Sequence, residues 1–96
     1  MNNFNAIGRV CNDLEIKESQ NNNNYLRFDL AITSNYKNKD GNKDTDFITC
    51  VAFNQLANVI REHVDKGDQI GIVGQLKSNN YTNQEGIKIK RTTIVL

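Results

Sequence analysis

Apolar residues in this chain recur at every second position in one segment after another, and at helical spacing in only one. The clearest case runs from Tyr25 to Ser34: Leu26, Phe28, Leu30 and Ile32 share one face, while Arg27, Asp29 and Thr33 take the other. A period of two is a strand with one face buried, so the chain must build a sheet that turns one side away from water. Upstream, Asn3 to Lys17 reads as a long first strand interrupted at Gly8, because a glycine inside a strand pattern marks a bulge or a sharp bend. The asparagine run at Asn21 to Asn24 reads as the loop that follows it, since asparagine tolerates positive φ. Thr45 to Phe53 is a third strand, with Phe47, Thr49, Val51 and Phe53 on one side and Ile48, Cys50 and Ala52 on the other. Both of its sides are largely apolar. One packs on the core, and the other needs a separate explanation.

The helical stretch begins after Asn54, read as an N-cap, with Leu56, Val59, Ile60, His63 and Val64 on one stripe and Gly67 as the C-cap. Strand spacing returns from Asp68 to Ser78, where Ile70, Ile72, Gly74 and Leu76 are in phase, and Ile87 to Leu96 forms the last strand. Lys37 to Asp46 reads as a mobile hairpin loop and Asn79 to Gly86 as a polar loop. The order strand, strand, strand, helix, strand, strand predicts an all-β fold with one short helix. It fits a five-stranded Greek-key barrel of the OB type, with the helix between the third and fourth strands. A single antiparallel sheet crossed by one helix is the alternative, and Gly71 and Gly74 favour the curled sheet over the flat one.

Ninety-six residues make one domain, 1–96, which buries roughly 60–65% of its unfolded surface. No apolar run approaches the ~18 residues that cross a bilayer, and Met1 to Val10 lacks the order of a signal peptide. No membrane association is expected. Cys11 and Cys50 have no metal-type spacing and read as reduced thiols in a cytoplasmic protein, and His63 cannot assemble a metal site alone. No metal and no cofactor are expected. Neither a nucleophile elbow nor a phosphate-cradling loop is present, and Asp44 and Asp46 sit in a charged loop where carboxylates are solvated, so an enzyme is not expected.

The net charge of +1 is small, but its distribution is not even. Lys77, Lys88, Lys90 and Arg91 face only Glu85 in the last twenty residues, which gives the chain a basic end. Aromatic residues lie near these and other lysines: Tyr36 beside Lys37 and Lys39, Phe47 and Phe53 on the third strand, and Tyr81 in the polar loop. Rings interleaved with lysines suit single-stranded nucleic acid, whose bases stack on the rings while its phosphates follow the cations. Spacing alone leaves Phe47 and Phe53 equally readable as core. Tyr36 and Tyr81 are harder to place in a core, because both fall in polar stretches.

Over essentially its whole length the chain resembles the bacterial-type single-stranded DNA-binding proteins. Asn3…Ile7-Gly8-Arg9 resembles the family's opening strand, Phe28-Asp29-Leu30-Ala31-Ile32 its second, and Asp46 to Phe53 its third. Ala57, Val64, Lys66-Gly67-Asp68 and Gly74-Gln75-Leu76 resemble its helix and fourth strand, and Asn80 to Gly86 its final hairpin. The resemblance implies an OB-fold that forms a homotetramer, a dimer of dimers, and binds single-stranded DNA without sequence preference in replication, recombination and repair, at the nucleoid. It places the stacking aromatics on Tyr36, Phe47, Phe53 and Tyr81. Phosphate contacts are expected from Arg9, Lys37, Lys39, Lys77, Lys88 and Lys90. No tryptophan stands at the aromatic positions, Leu14 replaces the usual proline, Asp65 precedes Lys66, and Asn79 and Asn80 occupy a stretch that is often basic. These departures imply a less cationic surface and weaker binding than in more basic members. The chain ends at Leu96 without the family's linker and acidic tip, so tail-mediated partners are not expected. Two other readings stand beside this one: a tail-less primosomal replication accessory protein, and an OB-fold used only for protein–protein contact.

Overall fold

Two-residue alternation builds six strands and a single helix, in the order β1 (Phe4–Val10), β2 (Ile16–Glu18), β3 (Asn24–Lys37), β4 (Lys43–Phe53), α1 (Asn54–His63), β5 (Gln69–Thr82) and β6 (Lys88–Val95). The computed structural model describes every residue from Met1 to Leu96. Pairing runs β1-β5-β6-β4-β3-β2, and β1 also pairs with β3, which closes the ring. All pairs are antiparallel except β4 with β6, which join in parallel through Cys50 opposite Ile94 and Val51 opposite Val95. The result is an OB-fold barrel, with the helix between β4 and β5. Closure rules out the open sheet.

The expected long first strand is two strands, β1 and β2, and it does not break at Gly8. Gly8 stays in the ladder, opposite Ile70. The break is at residues 11–15, where the side chain of Asn12 accepts the Asp29 backbone N–H at 2.6 Å and takes the place of a ladder partner. Leu14, within that break, turns into the core.

Gly8 instead marks where β1 changes partner. Residues Phe4 to Arg9 pair with β5, and Arg9 and Val10 pair with β3. A Cβ on Gly8 would lie 2.6 Å from the Ala31 carbonyl oxygen and 2.7 Å from Leu30 Cγ. Gly74 has the same role on β5, where a Cβ would lie 2.6 Å from the Val95 carbonyl oxygen at the change of partner from β1 to β6. The other glycine expected to favour curvature, Gly71, has room for a side chain, with Ile7 Cγ1 at 3.8 Å.

The even-numbered side chains of the central strands fill the barrel. Leu26, Phe28 and Leu30 of β3 and Cys50 and Ala52 of β4 are fully or almost fully buried, joined by Val10, Ile72 and Ile94. Both cysteines are free thiols. Burial, with the Asp29 carboxylate nearby, pushes the Cys50 thiol up to about 12, so that it is a neutral core group.

The helix is less well capped than its sequence suggests. Asn54 is its first residue, at φ 54°, rather than its N-cap; Phe53 holds the cap position, and no side chain caps the end. At the other end the Val64 N–H donates to the Ile60 carbonyl, and Gly67 belongs to the following turn rather than to the cap. Ala57 is buried and Ile60 and Val64 pack on the core, while Leu56 and Val59 remain exposed and His63 lies at the surface.

Two stretches read as loops are arms of long hairpins. The turn of the β3–β4 hairpin is only Asn38–Asn42, and that of the β5–β6 hairpin is Asn83–Ile87. In each the first asparagine's side-chain oxygen accepts two backbone N–H groups, those of Asp40 and Asn42 or of Glu85 and Ile87. Ser19–Asn23 closes in the same pattern, with Asn22 in the left-handed region that asparagine favours. Tyr36 and Tyr81 therefore sit on strands. The strand halves that carry them, residues 34–37 and 77–82, have no other apolar residue, so alternation leaves no hydropathic trace there. The arms project: the radius of gyration is 15.2 Å, against about 12.5 Å expected for a compact domain of this length.

Alanine at Gly8, where β1 changes partner, and at Gly71, where it does not, separates closure from curvature. Gly8→Ala is expected to cost roughly 3 kcal/mol, because the clash is with backbone. Gly71→Ala is expected to stay within about 1 kcal/mol of the parent. Thermal melts of the two variants check both values.

Candidate nucleic-acid interface

Register fixes which side chains share a surface. Across β3 and β4, Tyr25 lies opposite Phe53, Arg27 opposite Val51, Asp29 opposite Thr49 and Ala31 opposite Phe47. The row continues through Val51 and Val95 to β6, and from β6 to β5 through Thr93 opposite Lys77, Arg91 opposite Asn79 and Ile89 opposite Tyr81. Paired residues project to the same side of a sheet, so these odd-numbered residues form one continuous outer face. The even-numbered residues of β3 and β4 form the core. Phe47 is 67% exposed and Phe53 45% exposed, whereas Cys50 and Ala52 have no exposed surface. The apolar outer face of β4 thus keeps two rings in water, with Val51 and Thr93 buried between the strands.

Three of the four expected aromatics meet on this face: Phe47, Phe53 and Tyr81. Tyr36 does not. It is 82% exposed on the β3–β4 arm, past an irregularity between Thr33 and Lys37. It stands one residue before Lys37, whose partner Lys43 is in phase with Phe47, so alternation puts Tyr36 on the opposite side of the arm.

The cations divide in the same way. Arg9 lies opposite Ala31, which lies opposite Phe47, so the three occupy one lateral row; two strand spacings put Arg9 about 10 Å from Phe47. Its Nη1 donates to the Gly67 carbonyl at 2.7 Å, which fixes the side chain and leaves other donors free. Lys77 lies on the Tyr81 side of its arm, while Lys88 and Lys90, opposite Thr82 and Asn80, lie on the reverse side. Lys37 faces Lys43 across its arm and Lys39 stands in the turn.

Three residues belong to the face that were not among the expected binding residues: Tyr25, Arg27 and Arg91. Tyr25 is half-buried against the row that holds Phe53, and only the register shows this pairing. Arg27 and Arg91 line one cleft with Lys17 and Thr49 and with three carboxylates, Asp13, Glu15 and Asp29. Arg91 also places its guanidinium carbon 5.4 Å from the centroid of the Tyr81 ring. In sequence, Arg27 was legible as an outward residue in phase with Asp29. The role of Arg91 emerges only once Tyr81 is on a strand. Of the carboxylates there, Asp29 accepts a hydrogen bond from Thr49 Oγ1 at 3.0 Å. The face offers flat rings, fixed guanidinium groups and an open cleft, and no group of three or more His, Cys, Asp or Glu side chains is placed to hold a metal ion.

The family model for the single-strand binding protein family matches residues 1–96. The chain is 36% identical over 95 residues to single-stranded DNA-binding protein 3 of Streptococcus agalactiae, covering 99% of this chain and 69% of that one. It is 36% identical over 95 residues to single-stranded DNA-binding protein 1 of Lactococcus lactis, of which it spans 63%. Among solved structures it is similar to a Plasmodium falciparum SSB in complex with ssDNA, with a TM-score of 0.86 and 23% identity, covering 100% of this chain and 86% of that one. At that identity the likeness is one of fold.

Phe53→Ala distinguishes an outward ring from a core ring. An outward Phe53 predicts a loss of roughly 1–3 kcal/mol in oligo(dT) affinity, the usual value of one stacked base, with a mild effect on the melt. A core phenylalanine would instead cost about 3–5 kcal/mol of stability. Cys50→Asp is the inward control, expected to destabilise the barrel without altering the outer face. An oligo(dT) titration and a thermal melt on each variant separate the two outcomes.

Proposed function

The chain belongs to the single-strand binding protein family, and from that premise and the outer face of the barrel we propose that it binds single-stranded DNA without catalysis and without sequence preference. The observation that carries this reading is the pair Phe47 and Phe53, exposed in water on a strand whose opposite face buries Cys50 and Ala52 completely. A large ring left in water on a well-ordered strand is a stacking surface for any base, because every base has a π-face. Arg9, Arg27, Lys77 and Arg91 flank that surface as phosphate or ring partners. Lys37, Lys39, Lys88, Lys90 and Tyr36 belong to the projecting arms, where they meet a strand that continues around the domain.

We assign the protein to the protection of single strands in replication, recombination and repair, at the nucleoid in the cytoplasm. No helix is long and apolar enough to cross a membrane. The assembly in this reading is a homotetramer built as a dimer of dimers. Its support is the edge of β1: Phe4 to Gly8 pair with β5 on one side, whereas pairing with β3 begins only at Arg9. Ile7 and Val73 are exposed beside that free edge. An unpaired edge flanked by apolar side chains is satisfied by a second copy of itself.

Affinity for oligo(dT) is expected to fall as salt rises, with a log–log slope of about −0.7 for each phosphate neutralised. Duplex DNA of equal length is expected to compete poorly, since its bases cannot reach the rings. A flat salt response, or equal competition by duplex, would contradict the reading, and no tyrosine quenching by oligo(dT) at all would favour a face used for protein contact.

A further inference from the structure

The β5–β6 arm presents a problem that Tyr81 alone cannot solve. Its ring is 42% exposed, it stands near the end of a two-stranded ribbon, and its direct partner is Ile89. A ring on a projecting ribbon is free to change rotamer and offers both faces to solvent, which makes a poor stacking platform. Arg91 alters this. Its own direct partner is Asn79, two residues before Tyr81 on the same side of the ribbon. Diagonal neighbours across a ladder are within reach of long side chains. The guanidinium carbon is 5.4 Å from the ring centroid, within the range of a cation–π contact, and so it covers one face of the ring. Arg91 also lines the cleft with Arg27 and Thr49, so the same side chain links the arm to the β3–β4 face that carries Phe47 and Phe53.

We infer that Arg91 is a positioning residue for single-stranded DNA: its guanidinium lies on one face of Tyr81, holds the ring in one orientation and leaves the other face for a single base. This rests on the proposed function and deepens it. Two consequences follow from the geometry. Tyr81 takes one base on its open face and does not intercalate between two. Arg91 acts chiefly through the ring and not as a phosphate ligand, so a lysine, which has charge but no planar fork, does not replace it.

A double-mutant cycle on the full chain tests this, read as oligo(dT) affinity by fluorescence anisotropy over a range of salt. Tyr81→Ala is expected to weaken binding by between about fivefold and about 150-fold, the factor for one lost stack. Arg91→Ala is expected to weaken binding several-fold in the parent but by less than about twofold in a Tyr81→Ala background, because its partner is already gone. The salt slope of Arg91→Ala is expected to match the parent, and Arg91→Lys to behave like Arg91→Ala. Arg91 is exposed, and a thermal melt of each variant is expected to match the parent. If the two losses simply add, the salt slope shrinks by about 0.7 and lysine restores affinity, then Arg91 is a phosphate contact and the inference is overturned while the proposed function stands. A parent protein that fails to bind oligo(dT) overturns both.

Discussion

The barrel depends on one close approach of backbone to backbone. β1 serves two partners, β5 along most of its length and β3 at its end, and it can do so only because Gly8 puts no atom where the Ala31 carbonyl and the Leu30 side chain already lie. With that contact made, the ring closes, and every strand acquires an inside and an outside. Closure removes most of the unpaired edge that an open sheet would leave and turns simple alternation into a division of labour. Even positions on β3 and β4 pack Leu26, Phe28, Leu30, Cys50 and Ala52, and odd positions carry the exposed rings of Phe47 and Phe53.

That division answers the puzzle of β4, where both sides are apolar. On an open sheet the second apolar side would need another layer. Here no layer covers Phe47 and Phe53, and the cost of leaving them in water is set against what they bind. The electrostatics follow the same logic. The chain carries a net charge of only +1, and Lys17, Arg27 and Arg91 share one cleft with Asp13, Glu15 and Asp29, so the cations are placed rather than in excess. Placement, more than total charge, sets where a cation meets a ring, as Arg91 meets Tyr81.

How much of this was legible in the sequence depended on whether a residue's neighbours were apolar. Tyr25 to Ser34 and Thr45 to Phe53 announced their faces, because buried and exposed positions differ in hydropathy there. The distal arms did not. From Ser34 to Asp46 and from Lys77 to Gly86 the chain is polar apart from Tyr36 and Tyr81, so strand and loop look alike there. The helix start misled for another reason: Asn54 has the chemistry of an N-cap but occupies the first helical position at positive φ, with no side chain closing the end. The separation of Tyr36 from the other rings, and the contact of Arg91 with Tyr81, depend on register across an arm. Register is a pairwise property that no single segment carries.

The central claim is that the odd-numbered outer face of β3, β4, β5 and β6 is where single-stranded DNA lies. The most direct measurement is the shift of aromatic side-chain NMR signals on adding oligo(dT). Ring signals of Phe47, Phe53 and Tyr81 are expected to move together, while that of Phe28, sealed in the barrel, and the methyls of Leu56 and Val59 on the helix stay in place. Shifts confined to the helix, or to Ile7 and Val73 beside the β1 edge, with Phe47 and Phe53 unmoved, would contradict the account.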